Sequence, residues 1–241
     1  MFSAGPVTPA DGVGFSDVSQ IMRGCTANGL LLQPSRSATA IDRCIASKVF
    51  PTAPSSFIGE IYATYTLLGG AGGYFWDHAL VAEVQGAVSL SPSDFVGIRA
   101  DASLRSGGAP SSPTTGTTVA YSINATTFAT STLAVHVFSE SQPLVLVPNG
   151  LYDFAVWHTA PVFSSGWALL GDLSKYVPTS EQRFSNVQVT QTGATVDVRG
   201  SPGESVSVTW WSNMTGTTTT VVCVLTEADY ATVSVPSGVC M

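Results

Sequence analysis

The sequence feature that most constrains the fold is an alternation of apolar and polar residues between positions 184 and 212. Apolar side chains recur at every second position in three successive runs: Val187 and Val189; Val196 and Val198; Val206, Val208 and Trp210. The turn sequences Gln-Thr-Gly-Ala (191–194) and Ser-Pro-Gly-Glu (201–204) separate the runs. A period of two places these side chains on one face, so the pattern predicts an antiparallel meander, to which a strand at 219–225 adds a fourth member.

The rest of the chain from residue 58 onward carries the same signal in shorter runs. Runs of β-branched and aromatic residues alternate with Gly, Pro, Asn and Ser, which predicts about ten short strands in all. Helical periodicity is confined to residues 16–25 and to a segment from Ser35 or Ser37 to Val49, whose apolar face comprises Ile41, Cys44, Ile45 and Val49. Because strands and helices do not alternate, we expect an all-β, antiparallel β-sandwich with a short helical N-terminal segment.

These patterns divide the chain into three segments. Residues 1–56 are typical of an N-terminal arm with short helices, and residues 57–183 of a β-sandwich. Residues 184–241 contain the meander. This last segment forms either part of the same sandwich or a small C-terminal subdomain, since no change in composition marks a linker before it.

The chain carries unusually little charge. Only 10% of its residues are charged, less than half of the average of about 25%, and none lies between Ser106 and Ser139. Uncharged strand edges are poorly protected against pairing with another chain, so we expect burial in an assembly or coverage by loops. The net charge of -7 and the scattered arginines argue against a nucleic-acid groove, and we expect weak or no direct binding of nucleic acid.

The stretch Gly-Gly-Ala-Gly-Gly-Tyr-Phe-Trp, residues 69–76, combines flexible glycines with three aromatics. It lacks the spacing of a nucleotide-binding loop and opens no predicted helix. Tyr74, Phe75 and Trp76 are candidates for a binding or subunit-contact surface, stacking on a sugar or a neighbouring subunit. In the alternative interpretation, Tyr74 and Trp76 fill the core from one face of a strand and Phe75 lies on the other face.

No catalytic or metal-binding pattern is present. Glu60 and Glu83 lie on predicted strands without the pairing that marks a glycosidase, and no G-x-S-x-G sequence occurs. His78, His136 and His158 lack metal-ligand spacing, and Asp94 and Asp101 are too far apart for one calcium loop. We therefore expect no enzyme activity, no cofactor and no metal.

The four cysteines form one pair near each end of the chain: Cys25 with Cys44, and Cys223 with Cys240. Disulfides within each pair and buried free thiols are both compatible with the sequence. Asn-x-Thr sequons stand at Asn124 and Asn213. Apolar runs are interrupted well before the length of about 18 residues that a membrane span requires, and the N-terminus lacks the pattern of a secretory signal.

A helical N-terminal segment, low charge, and short strands rich in Thr, Ser, Val and Gly, such as Pro143–Trp157, resemble the coat proteins of small icosahedral viruses. The resemblance covers residues 57–182 or more, and it implies a jelly-roll sandwich, self-assembly into a symmetric shell with copies of itself and other capsid proteins, and residence in virions assembled in the host cytoplasm. In one respect the chain departs from the family. Many coat proteins carry a basic N-terminal arm, whereas residues 1–14 contain no Lys or Arg, so genome contact lies elsewhere or the chain is a minor, protruding or cleaved capsid component.

The second function compatible with the sequence is a secreted or surface β-sandwich module that recognises carbohydrate or a receptor in an extracellular location. That function predicts disulfides and glycosylated sequons.

Overall fold

The computed structural model describes residues 2, 14–52, 57–69, 73–95, 114–123, 133–147, 150, 153–226 and 229–241. Within these ranges the chain forms two α-helices, α1 (Val18–Met22) and α2 (Asp42–Val49), a 3-10 turn at Pro92–Asp94, and a series of strands. The strands in chain order are β1 (Thr39–Ala40), β2 (Ile58–Leu68), β3 (Tyr74–Gln85), β4 (Val88–Leu90), β5 (Thr114–Ile123), β6 (Val135–Phe138), β7 (Leu144–Leu146), β8 (Phe154–Phe163), β9 (Trp167–Gly171), β10 (Phe184–Val189), β11 (Ala194–Arg199), β12 (Ser205–Ser212), β13 (Thr217–Val224), β14 (Tyr230–Val235) and β15 (Val239–Cys240).

The fold is all-β, as the sequence predicts, and all the strand pairs in the described residues are antiparallel. A six-stranded sheet has the order β1-β2-β3-β8-β5-β6. Two sheets of the order β10-β11-β14-β15 and β13-β12-β9 pack against it, and we call these two the covering sheets. A short β4-β7 sheet is paired separately. The jelly-roll form of the sandwich stays a prediction.

The six-stranded sheet separates two hydrophobic cores. Alternate side chains of β3 point to opposite faces: Tyr74 and Trp76 pack with the covering sheets, and Ala79 and Val81 pack with α2 and the β4-β7 sheet. The first core joins strands from before and after residue 184, and β9 pairs directly with β12. Residues 184–241 thus share a sheet and a core with the segment that precedes them.

The predicted meander is divided between the two covering sheets. Its strands form close to the predicted positions, and Val196, Val198, Val206 and Val208 are buried. However, β11 pairs with β14 instead of β12, and β12 pairs with β9 and β13. The physical reason is that β14, which the sequence pattern did not reveal, offers β11 a register of six residue pairs, and partners distant in sequence leave no trace in a local period.

The N-terminal helices are shorter than the sequence pattern suggests. Asp17 caps α1, accepting the Ser19 and Gln20 backbone N–H groups at 2.9 and 3.2 Å. The second helix begins only at Asp42, because residues 39 and 40 pair with β2 as strand β1. Its predicted apolar face is also divided: Ile41 and Cys44 are buried, whereas Ile45 and Val49 are exposed.

Candidate interaction surfaces and buried polar groups

The aromatic triplet lies inside the molecule. Trp76 is fully buried, and its Nε1 donates a hydrogen bond to the Leu169 carbonyl oxygen at 2.8 Å. Tyr74 packs edge-on against Phe163 in the same core, with ring centroids 4.8 Å apart. Phe75 points to the opposite face of the sheet and contacts Tyr65. The assignment of Tyr74, Phe75 and Trp76 to a binding or subunit-contact surface is therefore corrected, because rings enclosed in this way offer no area to a ligand or to a second subunit.

Of the glycines before the triplet, Gly69 and Gly73 lie between the antiparallel strands β2 and β3. Leu68 pairs with Tyr74, and Gly69 has a φ of +93°, a conformation that favours glycine. Residues 70–72 lie outside the described ranges. The flanking backbone is thus that of a connection between two antiparallel strands.

The structure brings together two histidines that are far apart in sequence. His78 on β3 and His158 on β8 stand opposite each other in the strand register, and their Nδ1 atoms are 2.8 Å apart. His78 Nε2 lies 3.0 Å from Thr66 Oγ1, and the ring of Tyr121 packs beside His158 at 5.3 Å. Each histidine exposes only 1% of its surface. The pair is therefore sealed from solvent on the face of the sheet that carries Trp76.

Burial keeps both histidines neutral at ordinary pH. Desolvation lowers the pKa of His78 to about 3, and desolvation together with repulsion from His78 lowers the pKa of His158 well below its usual value. Among the described residues, His158 Nε2 has no hydrogen-bond partner. The tautomers that leave no buried N–H without an acceptor have His158 Nδ1–H donating to His78 Nδ1 and His78 Nε2–H donating to Thr66.

A second buried group, which the sequence did not reveal, is centred on Arg183. Its guanidinium donates to Glu204 at 2.7 Å and to the Arg199 carbonyl oxygen at 2.9 Å, and it lies 3.9 Å from Asp172. Burial alone would raise the pKa of Glu204, but the hydrogen bonds from Arg183 and from the Ser201 N–H lower it below its usual value. Because the side chains of Arg183, Asp172 and Glu204 are all buried, we interpret the group as a structural ion cluster.

A neighbouring lysine, Lys175, connects the N-terminal segment to the sandwich through hydrogen bonds. Lys175 Nζ donates to the carbonyl oxygens of Met22 and Cys25 at 2.8 and 2.9 Å. Burial lowers the pKa of Lys175, and attraction to Asp172 partly offsets this effect. The carbonyl groups at the end of α1 are thereby satisfied by a cation.

The remaining acidic candidates do not meet as a catalytic pair in the described residues. Glu60 bonds Lys48 at 2.5 Å, and Glu83 is exposed. Asp94 pairs with Arg43 at 3.4 Å and caps the turn that starts at Ser91, whereas Asp101 lies outside the described ranges. The described part of the chain contains no group of three or more His, Cys, Asp and Glu side chains placed to hold a metal ion.

The two cysteine pairs differ. Cys223 on β13 and Cys240 on β15 form a disulfide that joins the two covering sheets. Cys25 and Cys44 are buried free thiols, so for this pair the second of the two alternatives holds. The reason is their location: Cys25 contacts Ile21 and Met22, whereas Cys44 contacts Gly59 and accepts the Ile61 N–H.

Helix α2 exposes an apolar stripe to solvent. Ile45 and Val49, one turn apart, are 53% and 61% exposed. The opposite side of the helix, with Cys44 and Ser47, packs against β2. We call Ile45 and Val49 the helix stripe.

The six-stranded sheet also leaves one end of a face uncovered. Two adjacent rows of the register, Tyr62–Leu80–Val156 and Glu60–Ala82–Phe154, continue the face that carries Trp76 and His78. Phe154 is 44% exposed and Tyr62 36%. A groove of about 340 Å³ at this end is lined by Leu80, Ala82, Glu83, Asp153 and Phe154. We call this region the open end of the sheet.

Two further elements expose large apolar side chains. Val222 and Val224 point outward from β13, an edge strand of its sheet, and Val145 and Val147 are exposed on and next to β7. Beside β7, a groove of about 590 Å³ runs along β6 and includes the exposed His136. Asn213, the acceptor of one sequon, is exposed in the turn after β12, and Asn124 lies outside the described ranges.

None of the described helices is both long and apolar enough to cross a membrane. The sequence matches no protein-family model, and no curated protein matches it significantly.

Proposed function

We propose that this chain is a structural subunit that assembles with copies of itself, as a shell or protruding component of a viral capsid. One observation carries the proposal: large apolar side chains are exposed on four separate elements of a chain in which only 10% of residues are charged. The elements are the helix stripe, the open end of the sheet, β13 and β7.

The number of these surfaces favours a large assembly over a dimer. A contiguous apolar patch of a few hundred Å² on a monomer marks an interaction site. A single two-fold contact covers one patch on each subunit, whereas a subunit in a shell has several neighbours. The helix stripe and the open end are neighbours, since Lys48 bonds Glu60, whereas β13 and β7 belong to two other sheets. Covering all four elements therefore requires more than one contact.

Catalysis has no place in this proposal. His78 and His158 are buried in the interior. The buried Arg183 is paired with Glu204 and lies close to Asp172, so these charges neutralise one another. A general acid or base must reach the proton it transfers, either directly or through one water. These buried groups could reach a proton on a substrate only if the sandwich opened.

The proposal that the assembly is a viral capsid comes from the resemblance to the coat proteins of small icosahedral viruses. It implies a jelly-roll subunit in virions assembled in the host cytoplasm, alongside copies of itself and other capsid proteins. The net charge of -7 supports a role at the shell surface, with weak or no direct binding of nucleic acid.

Light scattering of the purified chain over a range of concentration, salt and pH tests the proposal, together with negative-stain imaging of the largest species. We expect closed particles or regular arrays whose yield rises with salt, because salt screens repulsion between acidic copies. A chain that stays monomeric under all these conditions would rule out self-assembly.

The Cys223–Cys240 disulfide favours a second candidate function, a secreted or surface module that recognises carbohydrate or a receptor. Disulfides persist in oxidising compartments, and the exposed Asn213 is available to glycosylation there. Intact mass before and after reduction and glycosidase treatment separates the two functions. A glycan at Asn213 on the native protein would support the module, and its absence together with assembled particles would support the shell.

A further inference from the structure

The groove at the open end of the sheet is shaped by a β-bulge. Ile58 pairs with Gln85 and Glu60 pairs with Ala82, so Glu83 and Val84 on β3 stand opposite the single residue Gly59 on β2. A Cβ atom at Gly59 would lie 2.8 Å from Val84 Cα, which explains the glycine. The bulge places Val84 in the core below the sheet and Glu83 in the groove beside Ala82.

The position of Glu83 carries a conformational cost. Its φ of +53° lies in the left-handed region, which is uncommon for a residue other than glycine. In regular pairing, residue 83 would point to the opposite face from Ala82. Bulges are features that re-aim side chains, and an observed backbone outlier of this kind points to a function. Here the result is an exposed carboxylate at the border of an apolar groove.

The groove is therefore both apolar and acidic. Leu80, Ala82 and Phe154 provide its apolar lining, and Glu83 and Asp153 provide two carboxylates. A second copy that placed the same groove face to face with this one would bring the two exposed Glu83 carboxylates together, and such like-charge contacts are unfavourable. The charge pattern thus selects an occupant with an apolar centre and a cation.

The helix stripe of the same chain has these properties. Ile45 and Val49 form its apolar centre, and Lys48 lies beside them at the end of the helix. Lys48 bonds Glu60 within its own chain, but its side chain is still 58% exposed and an ammonium has three N–H donors. Helices commonly cover the faces of sheets as a second layer.

We propose that α2 of one copy packs its helix stripe into the groove at the open end of the sheet of the next copy, with Lys48 facing Glu83 and Asp153. The inference rests on the proposed function and names the contact through which copies meet. A stable interface buries roughly 800 Å² per partner, so surfaces that flank the groove and the helix stripe must also take part in the contact. The contact is heterologous, since two different surfaces meet, so it propagates into rings or arrays instead of closing as a dimer.

Two variants separate the two halves of the contact. The double variant I45Q/V49Q replaces the helix stripe with polar residues of good helix propensity and leaves the groove intact. The variant F154T removes the largest side chain of the groove, keeps a β-branched residue in the strand and leaves the helix intact. Met214→Gln is the matched control, because Met214 is 72% exposed in the turn between β12 and β13. Thermal unfolding of each variant establishes that the fold is retained.

The experiment is a binding titration with fluorescently labelled protein, performed below the concentration at which the wild type forms particles. Labelled F154T is titrated with I45Q/V49Q, and each variant is titrated with itself. Contacts through other surfaces contribute equally to all three titrations. We expect the mixed pair to bind about tenfold or more tightly than either variant binds itself, because only the mixture contains one intact stripe and one intact groove. Met214→Gln should associate like the wild type.

Each other outcome overturns the inference in a distinct way. If I45Q/V49Q associates with itself as the wild type does while F154T does not, the open ends meet face to face. If both variants associate like the wild type, this contact is absent although self-assembly stands. If the wild type shows no association at any concentration, the proposed function fails together with the contact.

Discussion

The two ends of one face of the six-stranded sheet differ in burial. At one end Trp76 is buried beneath the covering sheets and His78 is buried next to it, while at the other end Tyr62 and Phe154 face solvent. The same strands β2, β3 and β8 form both ends with the same antiparallel register. The difference therefore arises from how far the covering sheets extend over the six-stranded sheet. They cover only part of the apolar surface of that face.

The largest contrast between the two ends is expected from truncating their aromatic side chains. Trp76→Ala should lower the free energy of unfolding by about 3–5 kcal/mol, because it leaves a cavity in the covered core, and it also removes the hydrogen bond to Leu169. Phe154→Ala at the open end should cost about 1 kcal/mol or less. Urea unfolding of both variants measures the two losses. Equal losses would mean that the two ends do not differ in burial.

Replacing the buried cation sharpens the question of what holds the covering sheets in place. Arg183→Met leaves the carboxylates of Glu204 and Asp172 buried without their cation, so we expect a loss of about 3–5 kcal/mol. The triple change R183M/E204Q/D172N removes the uncompensated charges and should recover part of that loss. The check is chemical denaturation at neutral pH. A single variant as stable as the wild type would show that the ion cluster contributes little.

The disulfide between β13 and β15 is expected to stabilise the contact between the two covering sheets. Its cysteines are 17 residues apart, and a loop of about this size corresponds to roughly 3 kcal/mol of stabilisation. C223S/C240S should lose this amount and no longer respond to reductant, whereas C25S keeps the disulfide and should respond to reductant as the wild type does. Thermal unfolding of the wild type with and without reductant provides the same comparison. Insensitivity of the wild type to reduction would contradict the expected contribution.

The histidine pair at the border of the covered end predicts a dependence on pH. Their pKa values are lowered in the folded state, so below about pH 6.5 the unfolded chain binds more protons and stability falls as pH falls. Above that pH the histidines are neutral in both the folded and the unfolded state and no longer lower the stability. The slope that each histidine contributes should rise from about 0.7 kcal/mol per pH unit at pH 6.5 to nearly 1.4 kcal/mol per pH unit at pH 5. Glu204 adds a loss only near and below its usual range, because its folded pKa is also lowered.

Unfolding free energies at intervals between pH 5 and 7 measure this slope. His158→Asn should reduce the slope by about the contribution of one histidine or more, even if the variant is less stable at neutral pH. His136→Asn is the control, since His136 is exposed on β6. An unchanged slope in His158→Asn would place the acid sensitivity elsewhere.

Local patterns in the sequence revealed the strands but not their partners. Strands β11 and β12 contain the alternating valines from which they were predicted, because an alternating period and turn residues are local signals. The pairing of β11 with β14 and the meeting of His78 with His158 are not local, and a period of two contains no information on them. No strand beyond β13 was predicted, although Ala231, Val233 and Val235 alternate with polar residues in β14.

The features of the candidate surfaces were only partly accessible from sequence. Low charge predicted that apolar surface would need a partner, and the periodicity placed Ile45 and Val49 on an apolar helix face. That periodicity did not show which part of the face the sheet would cover. The groove depends on a bulge at Gly59 and on the distance to which the covering sheets reach, and both follow from tertiary packing.

Hydroxyl-radical footprinting of the wild type, in dilute solution and in its assembled form, tests the central claim most directly because it reads the exposure of individual side chains. We expect Phe154, Tyr62, Ile45 and Val49 to be oxidised in the dilute protein and protected in the assembly. Trp76 should be protected in both. Oxidation of Phe154 and the helix stripe to the same extent in both samples would contradict the claim that copies of this chain cover the open end of the sheet.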